Sequence, residues 1–434
     1  MGIYKTLKRK IKEKKAVITV AGLGYVGLPI ALGFSRKGFM VYGLDTDRAR
    51  VQQLKKNRSY INDISSSEIA AATTSGMFVP TEDTNALNRA DAVIICVPTP
   101  LGKTHKPDLS FIIKISKTMK DKIRHGQLVI FESTTYPGTT REVILPILQR
   151  SGLKLGDDFF LAFSPERIDP GNPKFNFRNI PKVIGGCTKE GTELGEMLYS
   201  NVIKQVVSVS STDAAEVTKL LENTFRIVNI GLINEFASLC NKLGIDVWEV
   251  INAAATKPFG FMPFYPGPGI GGHCIPADPI YLSWKARKVG FETKMIDLAA
   301  QVNRNVPKHI VERIEGILGR SVSGAKIMLL GVAYKKDVND LRDSPALDIM
   351  EILIRKKAEV VYHDPFIPEV SIKGSCRQSV KLDKKTLKAQ DMAVVVTDHT
   401  DVDYRLVVRD SGIIFDTRNI FARLKIKSDN IVRL

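Results

Sequence analysis

The chain has no apolar run long enough to cross a bilayer, so a membrane-spanning helix is excluded and stable insertion into a membrane is not expected. Its first fifteen residues carry no apolar core of the kind a secretory signal needs, so export is not expected either. Cysteine is scarce. Cys96, Cys187, Cys240, Cys274 and Cys376 are scattered, odd in number and without metal-ligand spacing, which argues against a disulfide framework or a metal site and for a reduced, cytoplasmic protein. Acidic residues fall short of basic ones, 46 against 63, leaving a net charge of +17. No aromatic-interleaved basic motif accompanies that excess, so nucleic acid is not an expected partner. Much of it sits in Lys5, Lys8, Arg9, Lys10, Lys12, Lys14 and Lys15, which read as a solvated, frayed N-terminal arm. The remainder suits small polyanionic ligands.

What is present is a globular composition, 44% hydrophobic and 25% charged, over 434 residues, enough for two or three domains. Short, mainly apolar runs at 16–21, 41–45, 92–97, 128–132, 159–163 and 182–184 alternate with helical patterns, as in a parallel, doubly wound sheet. After Ser211 the pattern changes. Asp213, with Glu216 three residues on, reads as a capped helix start, and Gly244 offers a stop. The helix between them would have about thirty residues, against a usual mean of about a dozen. A helix that long commonly buries its far side on a second subunit, so a homodimer is expected. Alternation resumes at 326–332, 359–363, 392–397 and 412–416. The expected fold class is therefore α/β, with two Rossmann-like doubly wound parallel-sheet domains joined by a central helical domain. The expected divisions are 1–208, 209–310 and 311–434.

The run Gly22-Leu-Gly-Tyr-Val-Gly27 follows a strand and opens a helix, the context that gives a dinucleotide fingerprint its meaning. Gly24 lets the backbone approach a pyrophosphate, which the helix N-terminus can hold. Asp45 ends the next strand about twenty residues on, where its carboxylate can accept the ribose hydroxyls and repel a 2′-phosphate. NAD is favoured, although Arg48 and Arg50 stand close enough in sequence to oppose that preference. Thr99 and Thr134 follow later strands, in segments that read as ordinary turns or as cofactor contacts. The second sheet lacks a comparable fingerprint and should bind something other than a dinucleotide.

Cys274 sits in a glycine- and proline-rich run, 266–276, that reads as a loop able to approach a bulky ligand. A thiol there, in a chain with a nicotinamide site, allows covalent capture of the aldehyde that one hydride transfer would make. Asp278 follows at short range, as a base or as a residue orienting one. His273 adjoins the thiol, but adjacent side chains tend to point apart. Lys219 and Asn223 share a helix face, either simply solvated or aimed at a developing oxyanion.

Several motifs together resemble one family, the UDP-glucose/UDP-N-acetylhexosamine 6-dehydrogenases. They are Gly22-Leu-Gly-Tyr-Val-Gly-Leu-Pro29, Glu132-Ser-Thr-Thr-Tyr-Pro-Gly138, Ser164-Pro-Glu-Arg-Ile-Asp-Pro-Gly171, Lys219-Leu-Leu-Glu-Asn-Thr-Phe-Arg226, Gly271-Gly-His-Cys-Ile-Pro276 and Gly331-Val-Ala-Tyr-Lys-Lys-Asp337. The resemblance implies a four-electron oxidation at the sugar C6 with two NAD molecules used in turn, through a thiohemiacetal and a thioester on Cys274. It implies that Glu166 assists thioester hydrolysis and that Lys219, Asn223 and Asp278 handle the oxyanion and the proton. Tyr25 and Val26 join the cofactor set, as does Arg342. Arg167, Gly269, Gly271, Gly272, Tyr334, Lys335 and Arg418 join Lys219 and Asn223 around the UDP-sugar. No metal is implied.

The departures bear on the substrate. Arg167 to Pro170 replace the Phe-Leu-x-Glu of UDP-glucose enzymes, and His273 and Ala277 replace a Ser and a Lys. Both differences resemble the N-acetylhexosamine branch. Within it, the Glu132–Gly138 and Met262–Gly267 segments most resemble UDP-N-acetyl-D-glucosamine 6-dehydrogenases. UDP-N-acetylmannosamine, UDP-N-acetylgalactosamine and UDP-glucose are the alternatives in the same chemistry. A non-catalytic NAD or nucleotide-sugar sensor is a remoter one, which would have no need for the catalytic set.

Overall fold

The computed structural model describes residues 2–61, 64–100, 107–169, 174–175, 177–272 and 274–434. His273 and the Pro170-Gly171 end of the Ser164 motif lie outside the described residues. The chain divides into two compact units, Met1–Glu222 with Trp284–Gly290, and Asn223–Ser283 with Phe291–Leu434.

The first unit is built on eight strands: β1 (Ile18–Ala21), β2 (Val41–Leu44), β3 (Phe78–Thr81), β4 (Ala92–Ile95), β5 (Gln127–Phe131), β6 (Phe159–Phe163), β7 (Lys182–Gly186) and β8 (Val206–Ser208). Their order is β3-β2-β1-β4-β5-β6-β7-β8. Strands β1 and β4 to β7 are buried at every position, which is why they read as largely apolar runs, the pattern of a parallel sheet covered on both faces. Sheet neighbours are parallel except β6 and β7, which run antiparallel. The sequence reading omitted the two edge strands. β3 carries Pro80, tolerated because an edge has one face without ladder partners.

The basic N-terminus is not the frayed arm expected from its charge. Residues Ile3–Lys12 form helix α1, with Leu7 and Ile11 fully buried in the main core of this unit. Tyr4 packs edge-on against Phe160, and Lys10 lies 2.8 Å from Asp91. An apolar face with period four was present in the sequence, but the density of lysine outweighed it in the reading.

Helix α2 (Gly27–Arg36) follows the fingerprint, and helix α3 (Thr212–Leu243) is the long helix, 32 residues, running from the first unit into the second. Gly244 follows it at φ +69°. The expected cap shifts by two residues. Asp213 lies inside the helix, and the Ser211 hydroxyl accepts from the Ala214 N–H instead. Glu216, freed from capping, turns inward, as described below.

In the second unit the order is β10-β9-β13-β14-β15, all parallel, for β9 (Lys326–Leu330), β10 (Glu359–His363), β13 (Met392–Val395), β14 (Ile414–Asp416) and β15 (Ile431–Arg433). An antiparallel hairpin, β11 (Glu369–Ile372) and β12 (Ser375–Gln378), is inserted after β10. Helix α4 (Cys274–Lys288) begins at the cysteine, helix α5 (Lys294–Leu318) stops at Gly319 with φ +65°, and helix α6 (Pro345–Arg355) packs on α5.

Candidate functional site

Within the first unit the strand order reverses at β1 and β4, and the fingerprint sits at their carboxyl ends, where open α/β sheets bind ligands. Its three glycines do different work. Gly22, at φ +93°, lies so close to β4 that a Cβ would stand 2.5 Å from the Cys96 carbonyl oxygen. Gly27 closes the turn, since a Cβ there would meet the Gly22 oxygen. Nothing surrounds the Cβ position of Gly24, so its backbone is open to a bulky ligand. Tyr25 is half exposed beside it and Val26 precedes α2. Asp45 is buried and accepts from the Leu23 N–H and the Asp47 N–H, both at 2.8 Å, which fixes the carboxylate at the end of β2. Arg50 reaches to 3.7 Å from it. These residues fit NAD, which supplies the hydride acceptor.

Past β5 the chain enters the segment 132–140. Lys219 on α3 donates to the Thr134 hydroxyl, and one turn earlier Glu216 accepts from the Gly138 N–H at 2.6 Å and from the Thr140 N–H at 2.9 Å. Burial pushes the Glu216 carboxyl up to about 7, against those hydrogen bonds. Thr99 is buried beyond β4.

Glu166 follows β6 and is buried. Its Oε1 accepts from the N–H groups of Arg167 and Ile168, at 2.6 and 2.7 Å, and its Oε2 from Lys182 Nζ at 2.7 Å. Burial acts to raise its pKa, but the Lys182 ammonium and these donors outweigh it and hold the carboxyl below its usual range. Arg167 pairs with Glu222, with Nε 3.1 Å from Oε2, and donates to the Pro181 carbonyl at 2.8 Å. Sequence reasoning missed Lys182, Glu132, Tyr199 and Glu216. The signal for two of them was a charged residue ending or opening an otherwise apolar strand.

Within the second unit, Cys274 is exposed and is the first residue of α4. This corrects the expectation that 266–276 is loop throughout. Pro276 belongs to the first turn of the helix, where a missing N–H leaves no bond unmade. Asp278 stands one turn after the cysteine, buried, and accepts from Asn223 Nδ2 at 2.6 Å. The glycines before it are required by packing against this chain. A Cβ at Gly271 would meet Tyr334 and the Asp343 carbonyl, one at Gly272 the Tyr334 ring, and one at Gly269 the ring of Pro345. The Gly272 N–H donates to the Arg342 carbonyl at 2.9 Å, and the Arg342 guanidinium is clamped on Asp340, the nearest pair at 2.6 Å.

The second sheet also has a switch point, between β9 and β13. Tyr334 and Lys335 follow β9, and Arg418 follows β14. Arg418 donates its Nε to the Val396 carbonyl at 2.8 Å, and burial draws its guanidinium below the usual pKa. A desolvated cation at a carboxyl edge suits an anionic ligand such as a diphosphate.

Comparison with known proteins settles what these halves share. Residues 16–203 match the NAD-binding domain of the UDP-glucose/GDP-mannose dehydrogenase family, 213–305 its central domain and 328–423 its UDP-binding domain. The chain belongs to this family. It is therefore an NAD-dependent oxidoreductase of nucleotide-sugars. Protein CapL of Staphylococcus aureus is 38% identical, with 93% of this chain and 96% of that protein covered. The UDP-N-acetyl-D-glucosamine 6-dehydrogenase of Pseudomonas aeruginosa is 37% identical over 82% of this chain and 84% of its own. The solved structure of a UDP-N-acetyl-D-mannosamine dehydrogenase from Pyrococcus horikoshii superposes with a TM-score of 0.85 at 32% identity, covering 96% of this chain and 98% of that one. Among the described residues no helix is long and apolar enough to cross a membrane, and no cluster of side chains suits a metal ion.

Proposed function

We propose that this dehydrogenase oxidises UDP-N-acetyl-D-glucosamine at C6 to the uronate, in four electrons, through a covalent intermediate on Cys274. The observation that carries this reading is the pairing of an exposed thiol at the first residue of α4 with a buried carboxylate, Asp278, one turn later. Backbone N–H groups at a helix N-terminus favour a thiolate, the nucleophilic form. Cys274 sulfur adds to the C6 aldehyde to give a thiohemiacetal. Loss of a second hydride leaves a thioester. Lys219 and Asn223 stabilise the oxyanion at each stage, and Asp278 holds Asn223 in place and moves the proton. Glu166 takes a proton from the water that releases the acid.

Tyr334, Lys335, Arg418, Arg167 and the 269–272 backbone hold the UDP-sugar. Gly22 to Gly27, Asp45, Thr99, Thr134 and Arg342 hold NAD. The division 1–208, 209–310 and 311–434 assigns these tasks to NAD-binding, central and UDP-binding domains. A homodimer through α3 and a cytoplasmic setting belong to the same reading, and the product is a donor for surface polysaccharide or other glycan assembly. The glucosamine epimer is supported by the segments at Glu132–Gly138 and Met262–Gly267 and by the Pseudomonas aeruginosa relative. UDP-N-acetyl-D-mannosamine is the second reading, favoured by the Pyrococcus horikoshii likeness.

The test is NADH formed per limiting sugar, with the UDP derivatives of N-acetylglucosamine, N-acetylmannosamine, N-acetylgalactosamine and glucose in parallel, for wild type and Cys274→Ala. Two NADH per UDP-N-acetyl-D-glucosamine, lost in the variant, is the expected result. Preference for another sugar overturns the epimer, and one NADH per sugar with an indifferent variant overturns the role of Cys274.

A further inference from the structure

The reading above uses Glu166 but not the charges behind it. Lys182 opens β7 and is 4% exposed, and its Nζ lies 2.6 Å from Glu132 Oε2 and 2.7 Å from Glu166 Oε2. Glu132, at the end of β5, is 1% exposed, and its other oxygen accepts from the Tyr199 hydroxyl. Each residue is set by the sheet. β5, β6 and β7 are neighbours, and the three charged side chains meet in its interior although they stand 50 and 16 positions apart in sequence. One ammonium between two carboxylates, almost without water, persists only because each charge has partners. The two carboxylates are not equivalent. Glu166 Oε1 accepts from two backbone N–H groups and its Oε2 from Lys182, and Glu166 is 8% exposed against 1% for Glu132. Glu166 thus keeps a trace of contact with solvent, whereas Glu132 is sealed.

We propose that Lys182, backed by Glu132, is the positioning residue that keeps Glu166 anionic and aimed for hydrolysis of the Cys274 thioester; the proposal rests on the reading in which Glu166 is the base of that step. Water oxygen bonds to the acyl carbon, one of its protons passes to Glu166, and the carbon–sulfur bond breaks with its electron pair left on Cys274 sulfur. The proton of the new carboxylic acid goes to bulk water. Lys182 exchanges nothing with substrate. It lowers the energy of the Glu166 anion before the step, and Glu132 makes the ammonium itself tolerable in the interior. The groups that face Glu166 are Lys182, Lys219 and Glu132, with the Cys96 thiol and Tyr199 bordering the same cluster. In agreement, burial pushes the Glu132 carboxyl up, whereas at Glu166 the Lys182 ammonium and the backbone donors outweigh burial and draw the carboxyl down, so Glu166 is the more readily ionised of the two.

The experiment is a single-turnover reaction of the full chain with NAD and its UDP-sugar, quenched at intervals and weighed intact for the sugar nucleotide linked to Cys274. Variants are Lys182→Met, Lys182→Arg and Glu166→Gln. Lys182→Met should keep the burst of NADH, accumulate the adduct and lose about tenfold or more in adduct decay, the scale of a misset general base. The acid limb of its decay rate should move to higher pH, and Lys182→Arg should recover much of the loss. A burst that falls in step with turnover and leaves no adduct, or decay at the wild-type rate, overturns the proposal. Glu166→Gln separates the two readings: if it accumulates no adduct, the base assignment itself fails, whereas adduct in Glu166→Gln but not in Lys182→Met sinks only the role of Lys182. If Lys182→Met does not fold, Lys182→Met/Glu132→Gln removes the buried charge imbalance, and the same outcomes decide.

Discussion

Asn223 donates a hydrogen bond to Asp278 at 2.6 Å, tying the long helix α3 to the helix that carries Cys274 at its head. Both side chains are buried, so the amide has its orientation fixed before any ligand arrives. Asp278→Asn keeps the shape and removes the charge that orients Asn223. Turnover should fall about a hundredfold, the scale of one oxyanion donor lost, with the KM for the UDP-sugar nearly constant. Steady-state kinetics on a folded variant check it. A KM effect without a kcat effect would place the pair in binding alone.

The carboxylate of Asp45 serves the fold and the cofactor at once, because it accepts two backbone N–H groups of its own chain. Asp45→Ala should raise the KM for NAD about tenfold or more, since a ribose acceptor and the support of Leu23 go together. Arg50, no longer facing a carboxylate at 3.7 Å, should then favour a 2′-phosphate. The ratio of kcat/KM for NAD to that for NADP measures this, and an unchanged ratio would remove Asp45 from cofactor selection.

Glu216 gives a pH signature. Folding raises its pKa from 4.5 to about 7, chiefly by burial, so the native state binds this proton more tightly than the unfolded chain. Its contribution to stability is then fully present below pH 4.5 and is lost as pH rises toward 7. The gap corresponds to about 3 kcal/mol. Unfolding measured from pH 5 to 8 should show wild type losing more stability than Glu216→Gln over this window. Parallel curves would mean that Glu216 is ionised throughout.

The parts legible in the sequence were those where one residue type is forced locally. Gly22 and Gly27 admit no side chain, β1 and β4 to β7 are buried on both faces, and Gly244 sits in the left-handed region after α3. Cys274 stood out because little around it resembles a core. The hidden parts depend on partners distant in the chain. Lys182 looked like the start of a strand until Glu132, 50 residues earlier, met it across the sheet. Glu216 fitted a capping pattern equally well, and only the N–H groups of Gly138 and Thr140 show which use it has. Edge strands β3 and β8 are short and partly exposed, so periodicity had little to act on.

Helix α1 makes a prediction opposite to that for a loose basic tail. Leu7 and Ile11 are buried in the core of the first unit, so Leu7→Ala and Ile11→Ala should each cost about 2–4 kcal/mol of stability. Denaturant unfolding reads this out. Trypsin should also spare the lysines of α1 in the native wild type and cut there in the variants. Immediate cleavage in wild type would return the segment to the status of a solvated arm.

The last prediction concerns the outer side of α3. Leu221, Phe225, Leu232, Phe236, Leu239 and Leu243 are all exposed, between 46% and 62%, and recur at intervals of three, four or seven, so they form one apolar stripe along the helix. Solitary exposed leucines are ordinary, but an aligned row of leucine and phenylalanine in water is the mark of an interface. A second copy applying the same stripe about a two-fold axis would cover it on both chains, since such a contact is self-complementary. Light scattering after gel filtration should therefore report a mass of about twice 48.1 kDa for wild type. Phe236→Asp with Leu239→Asp places two charges in the middle of the stripe and should yield the single-chain mass, because an unpaired buried carboxylate costs more than the contact returns. A variant that keeps the doubled mass would move the interface elsewhere, and a wild type at 48.1 kDa would remove it.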